Sequence, residues 1–343
     1  MIQHLEIEQF LAKAREIPVA DVRTPAEYEQ GHIPQAHNLP IFSNEERVKV
    51  GTTYKQQGRE PAILLGFDLT GPKWSSFIQQ ALSMAPDKKI GLHCWRGGMR
   101  SGAMAWALSL YGFEVYLLTG GYKTYRRWVL DSFEADFKPL ILGGMTGSGK
   151  TLILKALQQA GQQIIDLEDL AQHQGSSYGS MGKLVQPTNE QFENNLAAEL
   201  KKINLKQHFW LEDESRTIGK CFIPKSLWEK MRTAPVLKLE VPAEERIRFL
   251  AEEYGKLNPE FLIECTERIG RRLGPEQTRD AVQAIKENRM PDFIRLVLVY
   301  YDKTYKTGQS MRETNTIFPI PCQVAGSAEN VKPILEKVQS IKI

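Results

Sequence analysis

The sequence predicts an α/β protein with two domains, each built around a mainly parallel sheet. The chain has 343 residues, more than the roughly 100–200 residues of one typical domain. In both halves short apolar segments alternate with helical segments, a pattern typical of parallel sheets with helical crossovers. A helical stretch ends near residue 138, and Pro139 opens a new apolar segment. We therefore expect domains over residues 1–138 and 139–343.

The composition excludes several classes of protein. Apolar residues make up 42% and charged residues 25% of the chain, as in ordinary globular domains. The start of the chain is too acidic for a signal peptide, and no apolar run is long enough to span a membrane. The four cysteines lie far apart in sequence, which favours a reducing cytoplasm over disulfides or zinc: Cys94, Cys221, Cys265 and Cys322. The net charge of +3 leaves nucleic-acid binding to a local patch.

The elements of the first domain follow one another as strand and helix. The predicted strands are IPVADVR (17–23), HIPQAHNLP (32–40), KKIGLHC (88–94) and FEVYLLTGG (113–121). The helical segments PAEYEQG and SGAMAWALSLYG lie between them, and YKTYRRWVLDSFEADF is expected to form a helix that leads out of the domain.

The second domain begins in the same way and gains helices later. Its predicted strands are PLILGG (139–144), QQIIDL (162–167), HFWLED (208–213) and APVLKLEV (234–241). From residue 243 the sequence turns helical and charged, and NTIFPIPCQVAG followed by SAENVKPILEKVQSI predicts a last strand and helix.

Residues 93–101 read HCWRGGMRS, a cysteine loop between a strand and a helix. Cys94 ends the strand, where parallel sheets bind their ligands, and a helix beginning at Ser101 would aim backbone N–H groups at an anion. Arg96 and Arg100 should lower the pKa of the thiol and favour the nucleophilic thiolate, with Arg100 folded back over it. The remaining candidates for this anion-binding loop are Trp95, Gly97, Gly98 and Met99. The alternative is a buried, inert cysteine.

Three segments around this loop carry a resemblance. DVRTPAEYEQGHIPQAHNLP (21–40), GLHCWRGGMRSG (91–102) and GFEVYLLTGGYKTYR (112–126) resemble the rhodanese domain over about residues 5–130. The resemblance implies that Cys94 handles a sulfur or related chalcogen atom.

The loop departs from the usual rhodanese pattern in its length. Five residues separate Cys94 from Arg100, one more than in sulfurtransferases, and HC-x5-R-S is also the signature of tyrosine phosphatases, some of which are similar to rhodanese in fold. The longer loop suits a larger oxyanion such as phosphate or selenophosphate. Trp95 is expected to form either a wall of the site or a platform for a base or prenyl chain.

The second glycine loop, GMTGSGKT at 144–151, matches the phosphate-binding motif G-x-x-x-x-G-K-[ST] in full. It follows a strand and precedes a helix, which is the context that this motif requires. Lys150 is expected to reach the terminal phosphate and the Thr151 hydroxyl to ligate Mg²⁺. The other predicted residues of this loop are Gly144, Thr146, Gly147, Ser148 and Gly149. The motif indicates a diphosphate or triphosphate without specifying ATP.

Acidic residues after two predicted strands are candidate Mg²⁺ ligands. Asp166 follows QQII, and Asp213 ends HFWLED. The alternative is that both cap strand ends in solvent. No metal site is certain from the sequence.

The region 244–312 combines many arginines with many acids, so most of its charges should form ion pairs on helix surfaces. The alternative is that Arg268, Arg271 and Arg272 follow the phosphates of an RNA.

Together the two motifs resemble one family from end to end. With DLEDLAQHQGSSYG (166–179), QPTNEQFENNL (186–196) and LEDESRTIG (211–219) after the phosphate loop, the chain resembles the tRNA 2-selenouridine synthases. The resemblance implies modification of tRNA at the wobble 2-thiouridine, in two steps. Geranyl diphosphate first alkylates the sulfur, and selenium from selenophosphate then replaces the geranylated sulfur. No permanently bound cofactor is expected, and no oligomeric state is specified.

This resemblance leaves some alternatives open. Cys94 either forms a perselenide or activates the selenium donor. A phosphatase or sulfurtransferase of rhodanese fold fused to a nucleotide-binding module is the alternative function, and a binding protein with an inactive rhodanese module is disfavoured by the intact Cys94, Arg100 and Lys150.

Overall fold

The computed structural model describes residues 1–174, 178–179, 185–310 and 312–341. The chain divides into two compact units, one of residues 1–132 and 193–198 and one of residues 133–192 and 199–343. The domain limit predicted near residue 138 stays a prediction. The Gly175-Ser176 part of the segment 166–179 lies outside the described residues.

The first unit contains a parallel sheet. Its described strands are β1 Ile2–Leu5, β2 Val19–Asp21, β3 His37–Asn38, β4 Lys89–His93 and β5 Glu114–Leu118. They pair in the order β1-β5-β4-β2-β3, and every pairing is parallel. The helices are α1 Ile7–Lys13, α2 Pro25–Gln30, α3 Asn44–Gln57, α4 Arg59–Thr70, α5 Trp74–Met84, α6 Met99–Leu110 and α7 Gly121–Ser132.

The hydrophobic core of this unit fixes β4 inside the sheet. Leu92 of β4 and Val115 of β5 are fully buried against Met104 and Leu108 of α6. The strand is therefore packed on its neighbours up to the point where the cysteine loop begins. The helix after that loop starts at Met99, two residues before the predicted start at Ser101, and Gly98 is its N-cap.

The second unit has its own parallel sheet. Its described strands are β6 Pro139–Gly144, β7 Phe209–Glu212, β8 Thr217–Ile218, β9 Cys221–Phe222, β10 Val236–Glu240 and β11 Ile317–Pro321. The main sheet has the order β11-β10-β6-β7, and β8 pairs with β9 in a separate antiparallel hairpin. The helices are α8 Lys150–Gln159, α9 Leu167–Ala171, α10 Asn189–Leu200 (shared with the first unit), α11 Lys225–Thr233, α12 Ala243–Tyr254, α13 Pro259–Arg268, α14 Gly270–Leu273, α15 Pro275–Lys286, α16 Met290–Gln309 and α17 Val331–Ser340.

The strand predicted at residues 162–167 is wrong. Ile164 forms only an isolated parallel bridge with Trp210. The segment cannot extend further because the side chain of Asp166 accepts a hydrogen bond from the Asp169 backbone and begins α9.

The helical region added to the second unit has a core of its own. Leu262 of α13, Ala281 of α15 and Phe293 of α16 are buried together. The predicted fold class, two α/β domains with added helices in the second, is confirmed. Among the described residues, no helix has the length and apolar character needed to cross a membrane.

Candidate active site

Cys94 lies directly after β4, an inner strand of the first sheet. The side chain is 3% exposed and borders a cavity of about 610 Å³. The sequence therefore folds the thiol into the crevice at the carboxyl end of the sheet, the usual ligand position in parallel sheets.

Hydrogen-bond donors surround the sulfur atom. The Gly98 backbone nitrogen is 3.3 Å and the Ser101 hydroxyl oxygen 3.2 Å from Sγ, and both donate to it. Burial raises the pKa of the Cys94 thiol, but the Ser101 hydroxyl, backbone N–H groups of Ser101 and Arg96, and the charge of Arg100 lower it, so that the net pKa lies below the ordinary value. The site therefore favours the thiolate.

The N-terminal turn of α7 holds the cysteine loop in place. Tyr122 N donates to Cys94 O over 2.8 Å, and Lys123 N donates to Trp95 O over 3.0 Å. Gly121 has a φ of +63°, and a Cβ there would overlap the carbonyl oxygen of Cys94 and the backbone nitrogen of Gly97. Only glycine permits this close approach of two backbones.

Arg100 has a carboxylate partner that the sequence did not predict, and its predicted position over the thiol stays a prediction. Its Nη1 and Nη2 atoms donate to the two carboxylate oxygens of Glu27, over 2.6 and 3.2 Å. Glu27 holds the guanidinium at the cavity wall, from which its charge still lowers the pKa of Cys94.

Two residues of this cavity were missed from the sequence. Glu27 belongs to the capping box that Thr24 forms at the start of α2, so the T-x-x-E pattern was its visible signal. Arg47 of α3 also lines the cavity, and no local motif marks it. Neither Arg47 nor Arg96 forms an ion pair with a carboxylate in the described part of the chain, so both cations are available to an anion.

Trp95 forms part of the wall of the Cys94 cavity, with 37% of its surface exposed. Its inner side packs on Tyr122, with ring centroids 5.8 Å apart. Tyr122 in turn lies against Arg23, which is buried in an ion pair with Asp21. Met99 is also exposed at this cavity. The loop thus presents an aromatic surface on a rigid base beside the nucleophile.

The phosphate loop follows β6, between β10 and β7 in the second sheet. The chain continues from β6 to β7 on one side of it and later places β10 on the other side. The loop after β6 therefore lies at the topological switch point of the sheet. Gly147 and Gly149 have φ values of +84° and +75°, and a Cβ on Gly149 would overlap the backbone of Gly326. Ser148 is buried, and its Oγ has no hydrogen-bond partner among the described residues.

Lys150 and Thr151 begin α8 as the motif predicts. Lys150 Nζ donates to Gly144 O over 3.4 Å. The Thr151 hydroxyl is 2.8 Å from Glu212 Oε1 and 3.1 Å from Glu168 Oε2. Carboxylates therefore surround the motif's hydroxyl.

The predicted acids are not the ones that meet Thr151. Asp166 caps α9, and Asp213 Oδ1 accepts a hydrogen bond from Arg312 Nη2 over 2.6 Å. Glu212 and Glu168 take their place at the hydroxyl. Within the described ranges, no group of three or more His, Cys, Asp or Glu side chains is arranged to hold a metal ion. The Mg²⁺ interaction stays a prediction.

The acidic side chains around Lys150 have perturbed pKa values. Burial raises the pKa of Glu214 to about 8, with a further contribution from Glu168. Burial and the charge of Glu168 also raise the pKa of Glu212. Burial lowers the pKa of Lys150, but Glu214, Glu168 and other carboxylates outweigh it and raise the net pKa. The carboxyl groups and Lys150 therefore favour a shared proton charge: each carboxyl group has a raised pKa, and Lys150 holds its proton more tightly than a free lysine.

The inner side of the helical region supports the phosphate loop. Arg246 Nη1 donates to Thr146 O over 3.1 Å, and its guanidinium also pairs with Asp302. The hydroxyl of Tyr305 accepts a hydrogen bond from Gly144 N over 2.9 Å. Part of region 244–312 thus shapes the site in its own unit.

The candidate RNA-contact arginines lie on the exposed side of this region. Arg268, Arg271 and Arg272 form no ion pair with the described carboxylates, and Arg272 Nη1 donates to the Tyr300 hydroxyl over 3.1 Å. By contrast, Arg246, Arg248, Arg289 and Arg295 pair with acids as the alternative interpretation expects. RNA contact by the first group stays a prediction.

The chain matches two family models. Residues 137–340 match the family model described as the tRNA 2-selenouridine synthase AAA domain. The chain belongs to this family. Residues 5–127 match the model of the rhodanese-like domain, as the sequence predicted.

Two relatives of this family align over nearly the whole chain. The tRNA 2-selenouridine synthase of Sulfurovum sp. (strain NBC37-1) is 35% identical over 93% of this chain and 94% of its own length. The tRNA 2-selenouridine synthase of Hydrogenovibrio crunogenus is 34% identical over 94% of this chain and 96% of its own length. This chain is therefore an enzyme of the family, a transferase.

Proposed function

We propose that this enzyme modifies tRNA by converting a wobble 5-substituted 2-thiouridine to 2-selenouridine through an S-geranyl intermediate. One observation carries the proposal: a single chain holds two glycine loops that lead into helices, and one loop contains a buried thiol whereas the other contains a lysine. Its family membership supplies the tRNA substrate.

The phosphate loop suits the geranyl step. The 2-thio sulfur attacks C1 of geranyl diphosphate, the C–O bond breaks, and diphosphate leaves while the base loses its N3 proton. Lys150 and the N–H groups at the start of α8 are set to stabilise the charge that develops on diphosphate. The carboxyl groups around Thr151 keep Lys150 protonated before the donor binds.

The cysteine loop suits the selenium step. Selenium in selenophosphate and in the product has the same oxidation level, so no electrons are exchanged. We propose that the Cys94 thiolate attacks phosphorus, the P–Se bond breaks, and hydrogenselenide leaves. Water then hydrolyses the S–P bond and releases phosphate. The selenium attacks C2 of the geranylated base, and geranyl thiol departs.

Attack at phosphorus agrees with the cysteine content of the first unit. A perselenide on Cys94 would need an oxidant to form and a second thiol to release selenide. Cys94 is the only cysteine between residues 1 and 132, and the other three are buried with pKa values raised by that burial. The five-residue spacing and the cations Arg47 and Arg96 suit a phosphoryl group instead.

Nucleoside mass spectrometry tests the proposed function. A tRNA that contains 2-thiouridine is incubated with the enzyme, geranyl diphosphate and selenophosphate, then digested. We expect a geranylated nucleoside that appears first and a 2-seleno nucleoside that replaces it. An unchanged tRNA with folded protein would contradict the proposal, and turnover of an aryl phosphate under those conditions would favour the phosphatase alternative.

A further inference from the structure

A second cavity lies beside the cysteine loop in the first unit. It measures about 280 Å³ and is lined by Arg96, Gly120, Lys123, Thr124 and Arg127. Arg96 also lines the larger cavity of Cys94. We propose that this cationic cavity binds the phosphodiester backbone of the RNA next to the nucleoside that Cys94 serves. The inference rests on the proposed function.

The charges of the cavity are unbalanced. Arg96, Lys123 and Arg127 are exposed, and none of them forms an ion pair with a carboxylate in the described ranges of the chain. The neighbouring Arg126 differs, because it pairs with Glu193 and donates to Asn194 Oδ1. Among the residues that the structure describes, no acidic side chain lines the cavity. Three cations held together without a counter-charge repel one another, and a bound anion would relieve that repulsion.

The backbone fixes these cations relative to the nucleophile. Lys123 and Arg127 are one helical turn apart on α7 and so point to the same side. The backbone N–H of Lys123 donates to Trp95 O in the cysteine loop over 3.0 Å. Arg96 follows Trp95 directly. A phosphate bound between these residues is therefore held at a set distance from Cys94.

An RNA strand fits this surface better than a free anion does. The cations come from two separate elements and are exposed, as in grooves that follow a nucleic-acid backbone. Trp95 exposes 37% of its surface beside them, and an exposed aromatic ring next to cations is the usual platform for a single-stranded base. The selenium donor already has a cavity, where it would meet Cys94 itself.

Salt-dependent binding tests this inference. The full chain is titrated with 2-thiouridine-containing tRNA at a series of KCl concentrations, and the Lys123→Ala/Arg127→Ala variant is compared with wild type. We expect about tenfold weaker binding near 0.1 M salt. The salt slope, which is the slope of log K against log salt concentration, should be smaller in magnitude by about 0.7 for each lost phosphate contact. The charge-preserving Lys123→Arg/Arg127→Lys variant should keep the wild-type slope.

The control removes two other exposed cations of the same unit, Lys55 and Arg59, which line neither cavity. The Lys55→Ala/Arg59→Ala variant should bind like wild type. An equal loss in both variants would overturn the inference, and so would an unchanged salt slope in Lys123→Ala/Arg127→Ala.

Kinetics separate this inference from the proposed function. The Lys123→Ala/Arg127→Ala variant should raise the KM for tRNA and leave kcat at saturating tRNA unchanged, because Cys94 stays intact. A raised KM for selenophosphate instead would identify the cavity as a small-anion site and overturn the inference alone. A wild-type enzyme that neither binds nor modifies tRNA would overturn the proposed function as well.

Discussion

The cysteine loop and the phosphate loop share one plan but have opposite electrostatic surroundings. Each follows an inner strand of a parallel sheet, turns through glycines and leads into a helix. Cations line the cavity around Cys94, whereas buried carboxyl groups surround Lys150.

The difference shows how one backbone design serves two chemistries. Donors and cations lower the pKa of the Cys94 thiol and prepare a nucleophile. Buried carboxyl groups raise the pKa of Lys150 and keep a cation ready for a leaving diphosphate. The polar and charged groups around the glycines of each loop, rather than the glycines themselves, decide whether the site prepares a nucleophile or stabilises a leaving group.

The largest expected effect comes from removing the cation of the phosphate loop. Lys150→Ala should slow geranylation by about 10²–10³-fold, since one charged contact to the leaving group is lost. The rate of geranylation is measured as the diphosphate released from geranyl diphosphate in the presence of tRNA. Lys155→Ala changes an exposed lysine of the same helix and should leave the rate unchanged. Equal rates in both variants would remove Lys150 from the mechanism.

The contact between α7 and the cysteine loop comes next. Gly121→Ala should destabilise the enzyme by about 1–3 kcal/mol, because the new Cβ overlaps backbone atoms and the residue has a positive φ. Gly98→Ala is the matched change on the cysteine loop that Gly121 contacts, and a Cβ at Gly98 meets no atom within 4 Å. Urea unfolding should give a clearly lower midpoint only for Gly121→Ala, and two equal midpoints would contradict the assigned packing.

The hydrogen bond from Ser101 predicts that a substitution there shifts the pKa of the Cys94 thiol. Ser101→Ala removes a hydrogen bond that favours the thiolate, worth about 1.5–3 kcal/mol or roughly one to two pKa units. The pKa of Cys94 should therefore rise, and alkylation by iodoacetamide at neutral pH should slow about tenfold or more. Peptide mass spectrometry across pH measures it. Ser83→Ala, on α5, is the control, and an unshifted profile for Ser101→Ala would rule out this role of the hydroxyl.

The acidic surroundings of Lys150 predict that stability depends on pH. Because the folded pKa of Glu214, about 8, exceeds the ordinary value of 4.5, the folded state retains a proton that the unfolded state loses. Stability should therefore fall as pH rises between these two values. In EDTA, Glu214→Gln should flatten this part of the thermal-stability profile. Glu229→Gln, at an exposed position, should follow wild type, and a Glu214→Gln profile as steep as wild type would count against the raised pKa.

Much of the fold was predictable because loops and periodicity are local signals. The glycine loops, the strands before them and the added helices follow from neighbouring residues alone. β1 was not predicted, since Ile2–Leu5 is too short and too exposed to show a clear alternation. Its place at the sheet edge depends on pairing with β5, more than a hundred residues later.

The partners of the site residues were less predictable. Arg100 pairs with Glu27, which lies 73 positions away, and no local pattern reports such a distance. The sequence predicted Asp213 near the phosphate loop, whereas Glu212 is the acid that contacts Thr151, and this difference has a simpler cause. Successive side chains along a strand point to opposite faces, so Glu212 faces Thr151 while Asp213 faces Arg312.

The division of labour between the two loops is tested most directly by nucleoside mass spectrometry on Cys94→Ala. With geranyl diphosphate, selenophosphate and 2-thiouridine tRNA, this variant should accumulate the S-geranyl nucleoside at the wild-type rate and form no 2-seleno nucleoside. Formation of 2-selenouridine at the wild-type rate, or loss of geranylation in a folded variant, would contradict the assignment of one step to each loop.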